Sequence, residues 1–443
     1  MGEYITNFNT TAEFEAVESS LAKPHVSLTK DNMALHYIPV HDYSQDYLTT
    51  VALEDGTISF NIGKSMGTEY ITSISYSTDN GETWTMVENQ DNKEEHLAID
   101  VDVNVGDKVS WKGNAQQTGY IDNDCFSFFS SDCEFDIEGN VMSLLYGDDF
   151  KGEETLEYDG QFAYLFNDFD GEKECKVVNA RNLVLPATTL AVRCYASMFS
   201  WCTSLTTAPE LLPATTLAES CYNSMFYGCT SLTTAPKLPA TTMTSSCYGH
   251  MFIGCTSLTT APELPATTLA ERCYYNMFNG CTSLTTAPEL PATTLASYCY
   301  QGMFAGCTLL TTAPELPATT LADHCYRNMF RDCTSLTTAP KLPATTLANY
   351  CYYQMFAGCT SLMTAPELPA TTLANGCYTD MFNGCSKLNY IKAMFTTRPS
   401  STYTSNWVKG VASSGTFVKN STATWTSSCG LSTYPCNWEV KTA

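Results

Sequence analysis

Sixteen of the 21 cysteines recur as pairs eight residues apart, from Cys194/Cys202 to Cys377/Cys385. Such thiols could be disulfides, metal ligands or small buried apolar groups. There is no Cys-x-x-Cys and the six histidines are scattered, which argues against a zinc site. An odd total argues against a fully paired framework. The thiols therefore read as buried apolar residues, with disulfides inside repeats as the alternative. Cys429 and Cys436 are expected to pair, and Cys125 with Cys133 comes second. Among the carboxylates, Asp148/Asp149 and Glu153/Glu154 read as solvated loops rather than acid–base couples. The stretch Asp168-Phe169-Asp170-Gly171-Glu172 has part of a calcium-loop spacing, but Phe166 stands where the first ligand belongs. No phosphate-binding GxxxxGK loop, GxSxG or HExxH is present. No catalytic residue, cofactor or metal site is expected, and the chain reads as non-enzymatic.

The elements that position side chains follow from charge and repetition. The 443 residues hold 46 acidic and 22 basic side chains, a net charge of -24. That excludes a general nucleic-acid binder, which needs Lys and Arg opposite phosphate, and adhesion to an anionic bilayer by charge. Residues 1–180 hold 35 acidic and 9 basic residues, residues 181–388 hold 10 and 8, and residues 389–443 hold 1 and 5. An acidic head, a near-neutral middle and a basic tail imply a boundary near 145–180. No apolar run approaches the ~18 residues of a membrane helix. The opening Met-Gly-Glu-Tyr-Ile-Thr has no signal-peptide character, although Gly2 and Thr6 fit the loose myristoylation pattern. A product assembled in a cytoplasm, or released by lysis, is expected.

Leu-Pro-Ala-Thr-Thr begins at Leu185, Leu212, Leu238, Leu264, Leu290, Leu316, Leu342 and Leu368, a spacing of 26 with one step of 27. A fixed period in this range means a solenoid or array. Within Leu264–Glu289, Thr268 and Glu271 have the form of a capping box. Leu269, Cys273 and Met277 then recur at i, i+4, i+8, which predicts a helix that Gly280 would end. Ser283–Ala287 reads as a strand stopped by Pro288. One strand and one helix per unit predict an α/β solenoid, with strands stacked on one side and helices on the other.

The run CYxxMFxGCTSLTTAP resembles the BspA-like (Treponema pallidum-type) leucine-rich repeat, with Cys273, Phe278, Cys281 and Leu284 at the matching places. The resemblance covers about residues 163–395. It implies surface-exposed or secreted proteins of host-associated bacteria that bind other proteins or cell surfaces, and it brings no catalytic residue. The opening segment, residues 70–113 and the closing YIKAMFTTRPSSTYTSNWVKGVASSGTFVKN are similar to proteins of gut Bacteroides and their crAss-like phages. That resemblance implies a virion protein assembled in the host cytoplasm.

Four segments are expected. Residues 1–45 are an attachment segment whose short helix presents Phe14, Val17 and Leu21 to another chain. Residues 46–145 alternate like the strands of a β-sandwich. Residues 146–388 are the solenoid with a degenerate first repeat, and 389–443 are its C-terminal cap. In the head, Ser77-Thr78-Asp79-Asn80-Gly81-Glu82-Thr83-Trp84 matches the Asp-box of sialidases. One box and no arginine in residues 1–180 favour a hairpin with Trp84 packed under its own turn over a glycan-active propeller.

The candidate ligand residues come from variation between units. Threonine follows the repeat leucine from Thr206 to Thr337, and only Met363 departs. The positions after Leu-Ala and after Cys-Tyr vary widely. The central units carry Tyr275, Tyr298, His324, Arg327, Tyr350 and Tyr353 there, side chains favoured at protein interfaces. The expected function is a phage virion adhesion protein displaying the solenoid to a bacterial surface protein or polysaccharide. It would be bound to other virion proteins through residues 1–45, without membrane insertion, and a homo-oligomer is an open option. A bacterial surface adhesin binding host proteins is the alternative.

Overall fold

The computed structural model describes residues 24–28, 35–39, 41–63, 73–88, 96–113, 119–120, 125–167, 174–425 and 429–443. Strands β1 (Pro24–Leu28) and β2 (Leu35–Pro39) pair as an antiparallel hairpin. The expected helix with Phe14, Val17 and Leu21, and the acidic loop at Asp168, lie outside the described residues.

The head is built from β3 (Leu48–Ala52), β4 (Gly56–Gly63), β5 (Ser73–Ser77), β6 (Thr85–Glu88), β7 (His96–Val103), β8 (Lys108–Gly113), the two-residue β9 (Gly119–Tyr120) and β10 (Cys125–Phe126), β11 (Phe128–Ser131), β12 (Phe135–Asn140) and β13 (Val177–Val184). One sheet has the order β11-β4-β7 and the other β13-β12-β3-β8-β5-β6. Alternation places Ile58, Phe60 and Ile62 of the first sheet in the core with Leu48, Val109, Trp111 and Ile137 of the second. The rings of Phe129 and Trp111 meet across the sheets at 5.4 Å. The Asp-box is the β5–β6 turn. Asp79 accepts from the Thr83 amide at 2.9 Å and from the Ser77 and Thr83 hydroxyls, while the Trp84 indole donates to the Gly81 carbonyl at 3.1 Å. These hydrogen bonds stay within the turn, while the Trp84 ring also meets Tyr47 at 4.9 Å and the Lys112 ammonium at 4.1 Å.

Strand β13 belongs to two structures. It pairs in parallel with β12, and its Asn179 bridges Thr207 of the first repeat. From there the ladder climbs through Thr234, Thr260 and Thr286, one bridged residue per unit. A second ladder runs through the Leu-Pro-Ala-Thr-Thr segments at Thr242, Thr268 and Thr294. Their leucines and alanines, such as Leu264 and Ala266, point inward. The tail continues the stack: β14 (Tyr390–Ala393), β15 (Thr416–Lys419) and β16 (Glu439–Thr442) form a parallel sheet, and Thr364 bridges Tyr390.

The helix expected in each unit is not formed. From Ala270 to Cys281 the chain is a series of tight turns. The amides of Cys273, Tyr275, Met277, Asn279 and Cys281 donate to the carbonyl three residues back, at 3.1–3.3 Å. The amides between them, those of Arg272, Tyr274, Asn276, Phe278 and Gly280, donate to the next unit at Ser297, Cys299, Gln301, Met303 and Ala305, at 2.8–3.1 Å. Arg272, Asn276 and Gly280 have φ of 53°, 52° and 75°, which a right-handed helix excludes. Thr268 and Glu271 cap nothing, and Gly280 is the left-handed corner of a turn. The spacing of Cys273, Met277 and Cys281 is a period of four, which nine residues cannot separate from 3.6. Packing decides: helices need 8–10 Å between axes, whereas the Tyr248 and Tyr274 rings of successive units stand 6.1 Å apart and Phe252 and Phe278 5.5 Å.

These turns bury two residues and expose two. The buried pairs build continuous columns. One runs from Phe162 through Tyr195, Tyr222 and each later repeat tyrosine to Tyr378. The other runs from Phe129 through Phe166, Phe199 and each repeat phenylalanine to Phe382. Trp407 closes both, 6.1 Å from Tyr378 and from Phe382. Beside them lie the sixteen repeat cysteines, all free and buried. The Cys281 thiol donates to the Phe252 carbonyl at 3.1 Å, and its counterparts do the same. Burial pushes the thiols of Cys255, Cys333 and Cys385 up to about 12, so they are protonated and inert at neutral pH. Cys429 and Cys436 are disulfide-bonded. Cys133 is a free buried thiol, so the second expected pair, with Cys125, is not made.

Candidate binding face

The outward pairs of the turn series form columns of their own, because every unit repeats the same turns. The residue before Cys-Tyr is Arg193, Ser220, Ser246, Arg272, Tyr298, His324, Tyr350 and Gly376 along the stack, each with positive φ. The residue after Cys-Tyr is Ala196, Asn223, Gly249, Tyr275, Gln301, Arg327, Tyr353 and Thr379. All six residues singled out in the sequence fall in these two adjacent columns and are half-buried.

In the first column the rings stack face to face. Tyr298 and His324 lie 4.5 Å apart at 7°, and His324 and Tyr350 lie 5.0 Å apart at 5°. The Arg272 guanidinium caps Tyr298 at 4.8 Å, an arrangement worth about 0.5–1 kcal/mol at an exposed site. At the other end the Tyr350 ring lies over Gly376, where an added Cβ would meet it at 2.3 Å. In the second column the Gln301 amide donates to the Tyr275 hydroxyl at 3.3 Å, and the Arg327 guanidinium stacks on Tyr353 at 4.6 Å. The columns meet where an Arg327 nitrogen lies 3.5 Å from His324 Nδ1 and where Tyr350 and Tyr353 approach to 6.0 Å. Burial, and then the Arg327 charge, lower the His324 pKa, so its ring is neutral at pH 7.

Gln301 Oε1, Arg327 Nε and Asn328 Oδ1 are buried without a hydrogen-bond partner among the described residues. Such groups cost free energy until they are satisfied. Arg272, Gln301 and Asn328 belong to the varying positions but not to the six candidates, although spacing marks two of them: Arg272 stands 26 residues before Tyr298, and Gln301 stands 26 after Tyr275. The face offers flat rings, two guanidiniums and amides, a binding chemistry rather than a bond-breaking one. Among the described residues no group of three or more His, Cys, Asp or Glu could hold a metal ion, and no described helix is long and apolar enough to cross a membrane.

Residues 175–309 match the family model of the BspA type leucine rich repeat region, in six copies. No curated protein and no solved structure matches the chain. The leucine-rich repeat match spans β13 and the first units of the stack. The same turns, columns and spacing then run on to Cys385. Proteins built from BspA-like repeats are typically surface adhesion proteins and are generally non-enzymatic.

Proposed function

We propose that this chain is a non-enzymatic adhesion protein, a leucine-rich repeat solenoid carried on a β-sandwich, and that it binds through the two columns of the turn face. The observation that carries the reading is the stacked run of Arg272, Tyr298, His324 and Tyr350 beside Tyr275, Arg327 and Tyr353. Tyrosine and arginine are enriched at protein interfaces and at their energetic centres. Here they stand pre-ordered by backbone hydrogen bonds between units, so little side-chain freedom is lost on binding.

The setting proposed is a phage particle. Residues 1–45, with Phe14, Val17 and Leu21, attach the chain to other virion proteins, and the turn face meets a protein or polysaccharide of the bacterial surface. The support is the resemblance of the opening segment, residues 70–113 and the closing segment to proteins of gut Bacteroides and their phages. The second reading, a bacterial surface adhesin, is favoured by the family match at residues 175–309. Replacing Tyr275, Tyr298, His324, Arg327, Tyr350 and Tyr353 by Ala is expected to leave the circular dichroism spectrum unchanged and to weaken binding to Bacteroides cells at least tenfold. Unchanged binding would move the contact to the threonine ladder. Mass spectrometry of purified particles and of cell envelopes separates the two settings.

A further inference from the structure

In the first units the same two columns carry Arg193 and then smaller residues, Ser220, Ser246, Ala196, Asn223 and Gly249, instead of rings. The result is a concavity of about 240 Å³ at the head end of the turn face. Its lining includes Ser197, Ser220, Ser246 and Asn223. The Asn223 side chain is already oriented: Ser224 donates to its oxygen at 2.9 Å, and its nitrogen donates to the Ser246 carbonyl at 3.4 Å. Phe126 of β10, itself buried, and Tyr164 close one side, their rings 4.8 Å apart.

The charge of the site is unusual for this chain. With 46 acidic and 22 basic residues overall, the described lining of the concavity holds one charged group, Arg193, and no carboxylate. The other arginines of the turn series are engaged. Arg272 pairs with Glu271 and caps Tyr298, Arg327 lies on Tyr353, and Arg331 pairs with Asp332. Arg193 makes no ion pair with a described residue, and the nearby Asp159 is turned onto the Val192 amide at 3.2 Å. An exposed, unpaired guanidinium at such a concavity suits a carboxylate, which it binds through two parallel hydrogen bonds. Three serines and an amide suit a ligand rich in hydroxyls.

We propose that this concavity binds a hexuronic acid unit of an acidic polysaccharide, with Arg193 on the carboxylate and Ser220, Asn223 and Ser246 on the ring hydroxyls. The assignment rests on the reading of the turn face as a binding surface, and it names a ligand class and a site apart from the ring columns. The test uses the full chain and a four-unit galacturonic acid oligosaccharide, with its methyl ester as the uncharged twin, measured by titration calorimetry. The acid is expected to bind at least tenfold more tightly than the ester, and Arg193→Gln should abolish the difference. Ser246→Tyr should fill the concavity and remove binding without lowering the thermal midpoint, because Tyr298 and Tyr350 occupy the same position in later units with the same positive φ. Equal binding of acid and ester, or full binding by Arg193→Gln, would overturn the proposal even if the six-alanine variant loses cell binding. Tighter binding of a peptide with a free C-terminal carboxylate would overturn the sugar assignment.

Discussion

Tyr195, Tyr222, Tyr248 and Tyr326 bury ring hydroxyls with no partner among the described residues. An unsatisfied buried hydroxyl costs roughly 1–3 kcal/mol, and the column itself begins with a ring that lacks one, Phe162 on Tyr195 at 5.7 Å. Tyr222→Phe is therefore expected to stabilise the protein by about 1 kcal/mol, seen as a higher urea midpoint at constant slope. A lower midpoint would show that the hydroxyl has a partner. Asp79 presents the opposite case, a polar group whose partners fix its charge. Hydrogen bonds from Ser77 and Thr83 hold its carboxyl down at about 2. A folded pKa below the unfolded value of about 3.9 gives stability that is present above the unfolded value and is lost as pH falls through the folded one. Asp79→Asn should unfold more easily than the parent at pH 7, with the gap closing between about pH 4 and pH 2. A gap that persists at pH 2 would assign the effect to side-chain shape instead of charge.

At the scale of elements, the repeat spacing, the buried thiols and the Asp-box hairpin were legible in residue order, because period and turn chemistry are local. The turn series was not. Its fourfold period matches a helix over nine residues, and the deciding quantity is the distance between units, which no single unit contains. The grouping of Tyr298, His324 and Tyr350 was legible as a choice of surface, whereas their face-to-face stacking depends on that same distance. Nor was the double role of β13 legible, since it depends on β12 and Thr207 converging on one strand. The Ala180 amide of β13 donates to the Thr207 carbonyl at 2.9 Å, and its methyl group is fully buried. Ala180→Pro removes that donor and crowds the junction. It is expected to split one calorimetric unfolding transition into two, the head and the stack melting separately. A single shifted transition would show that the ring contact of Phe129 with Phe166 suffices to couple them.

For the whole molecule, the stack is quasi-one-dimensional: each unit touches its neighbours and little else. Deleting Leu290–Glu315, one full period, brings Leu264–Glu289 against the unit that starts at Leu316. The new junction between units repeats the chemistry of the two it replaces. The Tyr274 amide that bonded Cys299 meets Cys325, the present partner of Tyr300, and the Tyr274 ring meets Tyr326. The shortened chain should fold with the same spectrum and a urea slope lower by about 6%, in proportion to the residues removed. Truncation after Leu388 should behave differently although it also removes whole units. It takes away Trp407, whose indole covers Tyr378 and Phe382 and donates to the Thr433 carbonyl at 2.9 Å. The two ring columns and the open strand at Thr364 would then face solvent, an edge that invites further chains to pair. That truncation is expected to elute as aggregates in size-exclusion chromatography while the internal deletion elutes as the parent does. If the truncated chain ran at the parent's position, corrected for mass, the closing role given to Trp407 and β14–β16 would fail, and the stack would be stable without a specialised end.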